Sequence, residues 1–90
     1  PLGTAIMTYY VYLIVTKINK KIVSYVGYTN NLKNRLRLHN SSKGAKFTRG
    51  KNWKMIYFKS YKSKNLAMSE EYKLKKDYTL RKKIKKGFEI

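Results

Sequence analysis

The stretch Tyr25–His39, YVGYTNNLKNRLRLH, constrains the fold more than any other part of the chain. An apolar run stops at Gly27, the chain turns through Thr29, Asn30 and Asn31, and a basic amphipathic segment follows. Thr and Asn suit a helix start because their side-chain oxygens accept from the free N–H groups of the first turn. Residues four apart on a helix share a face. At about 100° per residue, Leu32 and Leu36 mark the buried side, and His39 falls between Leu32 and Leu38. Arg35 lies beside His39, and Arg37 points away. One arginine of this helix is therefore turned toward the sheet edge, where a charge needs a chemical reason.

Ninety residues make one small domain with a single core. The opening PLGTAI, residues 1–6, reads as the remnant of an expression tag, so fold reasoning starts at Met7 and takes 7–90 as one domain. Lysine and arginine number 22 against 4 acidic residues, a formal net charge of +18 that calls for a polyanionic partner. Nine tyrosines, three phenylalanines and a tryptophan supply enough apolar surface to oppose disorder. The absence of cysteine excludes disulfides, thiolate zinc sites and cysteine nucleophiles, and one histidine cannot build a metal cluster. The run Tyr9–Val15 is too short to span a bilayer. An intracellular location alongside nucleic acid is the expectation.

Tyr9–Val15, YYVYLIV, is apolar on both faces and predicts a central strand. Asn19 and Lys20 suit a turn, and Ile22–Tyr28 predicts a second strand completing a hairpin. Folded about Ile18 or Asn19, that hairpin sets Tyr12 and Tyr25 on neighbouring strands at nearly one height. Gly27 points to a bulge or a close backbone approach. Asn40–Asn52 reads as a basic loop able to touch phosphate, through Lys43, Lys46, Thr48, Arg49 and Lys51, and Trp53–Tyr61 predicts a third strand.

Lys64–Asp77 predicts a helix capped near Ser63 or Asn65, with Ala67, Leu74 and Tyr78 as its apolar stripe and Glu71 slightly nearer that stripe than Glu70. A last helix is expected from near Thr79 to Gly87, with Leu80 and Ile84 inward and Lys82, Lys83, Lys85 and Lys86 outward. The order β-β-α-β-α-α implies an α+β fold, a small three-stranded antiparallel sheet flanked by helices.

Glu70, Glu71, Asp77 and Glu89 are all the carboxylates of the chain. Two-metal phosphodiester cleavage clusters several carboxylates around ions about 4 Å apart, which so few can hardly supply. A single Mg²⁺ or Mn²⁺ needs only one, with water and substrate oxygens completing its shell. The attacking water then needs another proton acceptor. A tyrosine, whose ordinary pKa is about 10, can serve if a neighbouring arginine and a metal ion favour the phenolate. Arg35 can grip a phosphate in bidentate fashion, and His39 can position water or relay a proton.

In chain order the sequence reads Tyr10-Val11-Tyr12, then Tyr25-Val26-Gly27, then TNNLKNRLRLH with Arg35 and His39 four apart, then KGAKFTR, then a helical Glu71. This succession, from Tyr9 to Lys76, resembles the GIY-YIG nuclease domain. It is most similar to a small stand-alone group related to the nuclease domain of structure-specific endonucleases that act on branched DNA. The resemblance implies a divalent-metal-dependent DNA endonuclease with Tyr12 as general base. By the same resemblance Tyr25 positions water and phosphate, Arg35 and His39 bind the scissile group, and Glu71 holds the metal.

Taken singly, each of these residues has a plainer reading. Tyr12 and Tyr25 are ordinary strand aromatics, His39 suits a helix end, and Glu70 and Glu71 pair with lysines at helical spacing. The alternative function is a non-catalytic, basic nucleic-acid-binding module. DNA is the expected partner, with RNA also open. A membrane-coating role is weakest, since no helix has the apolar face it would need. Neither a small-molecule cofactor nor an oligomeric state is indicated.

Overall fold

The computed structural model describes residues 7–88, so the presumed tag remnant and Glu89 lie outside the described residues. Strand β1 (Tyr9–Ile18) is the centre of a three-stranded antiparallel sheet, flanked by β2 (Lys21–Thr29) and β3 (Lys54–Tyr61) in the order β2-β1-β3. Val11, Tyr12, Leu13, Ile14 and Val15 are each at most 2% exposed. A strand apolar on both faces is stable only where both faces are covered, and both are.

One face carries Val11, Leu13, Val15 and Val26 against Ala67 and Leu74 of helix α2 (Lys64–Lys76), with Ile84 and Phe88 of α3 (Tyr78–Phe88) packed at the margin. The other carries Tyr12 and Ile14 against Trp53, with Leu32 and Leu36 of α1 (Leu32–Asn40) beside them. The α+β class and the β-β-α-β-α-α order are as expected, with a short 3₁₀ turn, Lys46–Thr48, added between α1 and β3.

The β1–β2 hairpin closes through Asn19 and Lys20, with φ of 49° and 68°. Two positive φ values make a type I′ turn, whose twist matches that of the strands. A lysine in this left-handed conformation costs about 1–2 kcal/mol that glycine would not. The turn also fixes the register: Tyr12 pairs with Gly27, and Tyr25 with Ile14. Tyr12 and Tyr25 therefore share a face but stand two positions apart, a correction to the expected equal height. The turn centres between Asn19 and Lys20, and each half-residue shift of a hairpin's centre slides the partner by one position.

Helix α1 begins where the sequence suggests. Asn31 is its cap, accepting from the N–H of Asn34 at 3.0 Å, while the Thr29 hydroxyl accepts from the N–H of Asn31 at 3.1 Å. Ser63 caps α2, accepting from Leu66 N–H at 3.1 Å. The chain breaks earlier than expected after α2. Asp77 ends that helix and caps α3, its Oδ1 accepting from Leu80 N–H at 3.0 Å. Thr79 is thus not the cap, and Tyr78 belongs to α3 and is 61% exposed instead of continuing the α2 stripe. Leu80, expected inward, is 39% exposed.

Candidate active site

The pocket at the end of β2 is built on two glycine notches. Tyr12 points from β1 across Gly27, where a Cβ would collide with the phenol hydroxyl. The backbone at Gly44 lies so close to the His39 imidazole that a Cβ there would collide with the ring. The two rings thereby reach each other. The Tyr12 hydroxyl and His39 Nε2 are 2.7 Å apart, and both side chains are buried, at 2% and 1% exposure.

A continuous hydrogen-bond chain fixes the polarity of that contact. Thr48 Oγ1 donates its hydrogen to the carbonyl of Ala45 at 2.9 Å and lies 2.8 Å from His39 Nδ1. With its hydrogen committed, the Thr48 oxygen can only accept, so Nδ1 carries the imidazole proton. Burial, and then the guanidinium of Arg35, hold the His39 pKa below its ordinary value, keeping the ring neutral. Its Nε2 lone pair therefore accepts from the Tyr12 hydroxyl. Every donor in this relay points from the phenol toward the loop.

Burial, reinforced by Tyr25 and Glu71, pushes the Tyr12 phenol well above its ordinary range. Arg35 acts the other way but is outweighed by desolvation. The resting group is thus a phenol already donating to a neutral histidine. His39, expected to bind the scissile group, is buried beside Tyr12. Both of its ring nitrogens are engaged within the protein, and its partner is Tyr12.

Around this relay lies an open pocket of about 470 Å³ whose lining includes Tyr12, Tyr25, Arg35, His39 and Glu71. These side chains come from the consecutive elements β1, β2 and α1 and from α2, which follows only after the loop and β3. Tyr25 sets its ring edge-on to His39, centroids 5.3 Å apart, and stacks on Phe47 of the loop. Arg35 is half-buried and makes no ion pair or side-chain hydrogen bond among the described residues, whereas Arg37 is turned out onto Asn34.

Glu71 has a side chain 16% exposed and only a 3.5 Å pair with Lys75. Glu70 faces elsewhere, paired with Lys73 at 2.9 Å in a shallow groove beside Tyr61. Among the described residues no three His, Cys, Asp or Glu side chains come together as a metal cage. One carboxylate, Glu71, lining the same pocket as Arg35 suits a hydrated Mg²⁺ or Mn²⁺ completed by phosphate oxygens.

The loop residues divide by exposure. Lys43, Lys46 and Arg49 are exposed, while Lys51 is half-buried and donates to the carbonyl of Phe47 at 3.0 Å. Thr48 is fully buried, so it cannot join them at a nucleic-acid surface, and its hydroxyl instead holds His39. Sequence reasoning overlooked that role. It also overlooked Asn40, whose amide oxygen accepts from Trp53 N–H at 2.6 Å and ties the loop shut, and Lys64, which reaches the pocket from the start of α2. The signal for Asn40 and Thr48 lay in the His39-Asn40 and KGAKFTR segments, read there only as loop and charge, whereas Lys64 carried none beyond its place at the start of α2.

The three-stranded α+β domain thus gathers tyrosines, an arginine, a histidine and one glutamate in a single pocket. Residues 8–85 match the family model of the GIY-YIG catalytic domain, and the chain belongs to that family, a nuclease superfamily. Among curated proteins it is similar to a UPF0213 protein of Oceanobacillus iheyensis, 50% identical over 52 residues that cover 57% of this chain and 60% of the relative. A UPF0213 protein of Clostridium perfringens is 47% identical over 53 residues, covering 58% and 57% of the two chains. One of Streptococcus pneumoniae serotype 4 is 49% identical over 53 residues, covering 58% and 54%. The matched segment thus spans little more than half the length of these relatives. No solved structure matches the chain.

Proposed function

We propose that this chain is a divalent-metal-dependent DNA endonuclease that hydrolyses a phosphodiester bond with one metal ion and a tyrosine base. The observation that carries the reading is the directed relay Tyr12–His39–Thr48–Ala45, which ends in a pocket shared with Arg35 and Glu71. A buried phenol is a poor base by itself, but here it need not be deprotonated in advance. As the water oxygen bonds to phosphorus, its proton passes to the Tyr12 oxygen while the Tyr12 hydroxyl proton moves to His39 Nε2. The P–O ester bond breaks, and the leaving oxygen takes a proton from solvent. Imidazolium on His39 keeps its Nδ1–H on Thr48, so no new buried donor is left without a partner.

Tyr25 positions water and phosphate, and Arg35 holds the scissile phosphate and offsets its developing charge. Lys64 adds a cation at the rim. Glu71 is the residue that would hold a Mg²⁺ or Mn²⁺ ion, which supplies charge neutralisation at the phosphate. Lys43, Lys46 and Arg49 contact the flanking backbone. Branched or structured DNA is the proposed substrate, cut within a cell.

Incubation with plasmid and with branched oligonucleotides, with and without Mg²⁺ or Mn²⁺, tests this. Wild type and Glu70→Ala should cut in a metal-dependent way, and Glu71→Ala should not. If Glu71→Ala cuts as well as wild type, the assignment of the metal ligand is wrong. If none of the three cuts, the basic binding module is the better reading.

A further inference from the structure

A second cationic site lies away from the pocket. A groove of about 540 Å³ runs between the β1–β2 turn and α3, lined by Lys20, Lys21, Tyr78, Lys82, Lys85 and Lys86. Five lysines from two distant parts of the chain line it, and among the described residues no carboxylate does. The described carboxylates are engaged elsewhere: Glu70 with Lys73, Glu71 with Lys75, and Asp77 at the cap of α3. Such a lining is self-repelling and favours an anionic occupant.

Two further observations point to a ligand. Lys20 holds its ammonium at the groove from a strained backbone, φ 68°, in a turn position that glycine fills freely. Tyr78 offers a 61% exposed ring with Arg81 and Lys82 within 5.8 and 5.9 Å of its centroid. Cations around an exposed tyrosine suit a nucleic-acid backbone, with phosphates on the lysines and on the Tyr78 hydroxyl.

Edge strand β2 begins at this groove with Lys21 and ends at the reaction pocket with Tyr28. At roughly 3.3 Å per residue the two sites stand about 23 Å apart. At about 3.4 Å per nucleotide that distance equals roughly seven nucleotides. We infer that the groove between the β1–β2 turn and α3 is a second nucleic-acid site, holding the DNA backbone about seven nucleotides from the phosphate that is cut. This rests on the nuclease reading and adds a minimum substrate length to it.

The test measures binding in EDTA by the cleavage-impaired Tyr12→Phe protein, using hairpin duplexes of about five and about fifteen base pairs. Added Lys82→Ala, Lys85→Ala and Lys86→Ala substitutions should weaken binding of the long duplex severalfold and flatten log K against log salt by about 0.9 for each phosphate no longer neutralised. The short duplex should be affected far less. A charge-matched Lys33→Ala, Lys62→Ala, Lys76→Ala protein should lose less on the long duplex. Lys20→Gly should melt no lower than its parent yet bind the long duplex more weakly. Equal losses for both triple variants, or equal losses on both duplexes, would overturn the second site and leave the nuclease reading intact. If Tyr12→Phe itself binds neither duplex, both fall together.

Discussion

A buried phenol can pass on its proton only if its acceptor is neutral and correctly oriented; burial and Arg35 keep His39 neutral, and Thr48 orients it. Thr48 fixes the His39 proton on Nδ1 and so leaves Nε2 open toward Tyr12. Thr48→Val keeps the shape but leaves the buried Nδ1–H without an acceptor, which should destabilise the fold by about 1–3 kcal/mol and lower cleavage. Thr48→Ser should restore both; failure of the serine to do so would assign the effect to packing alone. A second consequence concerns pH. The folded pKa of His39 is lowered, so the unfolded chain binds more protons as pH falls through the ordinary histidine range. Stability is full above about 6.5 and declines below it. The melting temperature should therefore drop on acidification through that range, and His39→Gln should remove that part of the drop. An unchanged profile in His39→Gln would show that other groups carry it.

At the scale of elements, the strands and α1 were legible because their signals are local. β1 is apolar on both faces, and Asn31 caps a helix whose leucines repeat with the helical period. The register was less legible, because type I′ geometry at Asn19 and Lys20 depends on two φ values that neither residue type dictates. The α2–α3 boundary was obscured by Asp77, which reads equally as the end of one helix and the start of the next. Asp77→Ala should cost about 0.5–2 kcal/mol in chemical denaturation by removing the α3 cap. Unchanged stability would mean that the contacts of Ile84 and Phe88 with the core hold α3 unaided.

For the whole molecule, a charge of +18 on ninety residues is legible as a demand for a polyanion, yet it does not say where the polyanion lies. The two sites proposed for it rest on placement: Arg35 and Glu71 at one end of β2, the α3 lysines at the other. The residues that line the pocket were legible as a succession of motifs. Their contacts were not, because Tyr12, His39 and Thr48 are far apart in the chain and meet only when the loop folds back over α1. The most direct test of the tyrosine relay is single-turnover cleavage of branched DNA with saturating Mg²⁺ or Mn²⁺, comparing wild type with Tyr12→Phe. The phenylalanine protein should bind the DNA nearly as well and cut it slower by on the order of 10²- to 10⁴-fold. Equal rates would contradict the relay, since the phenol would then carry no proton.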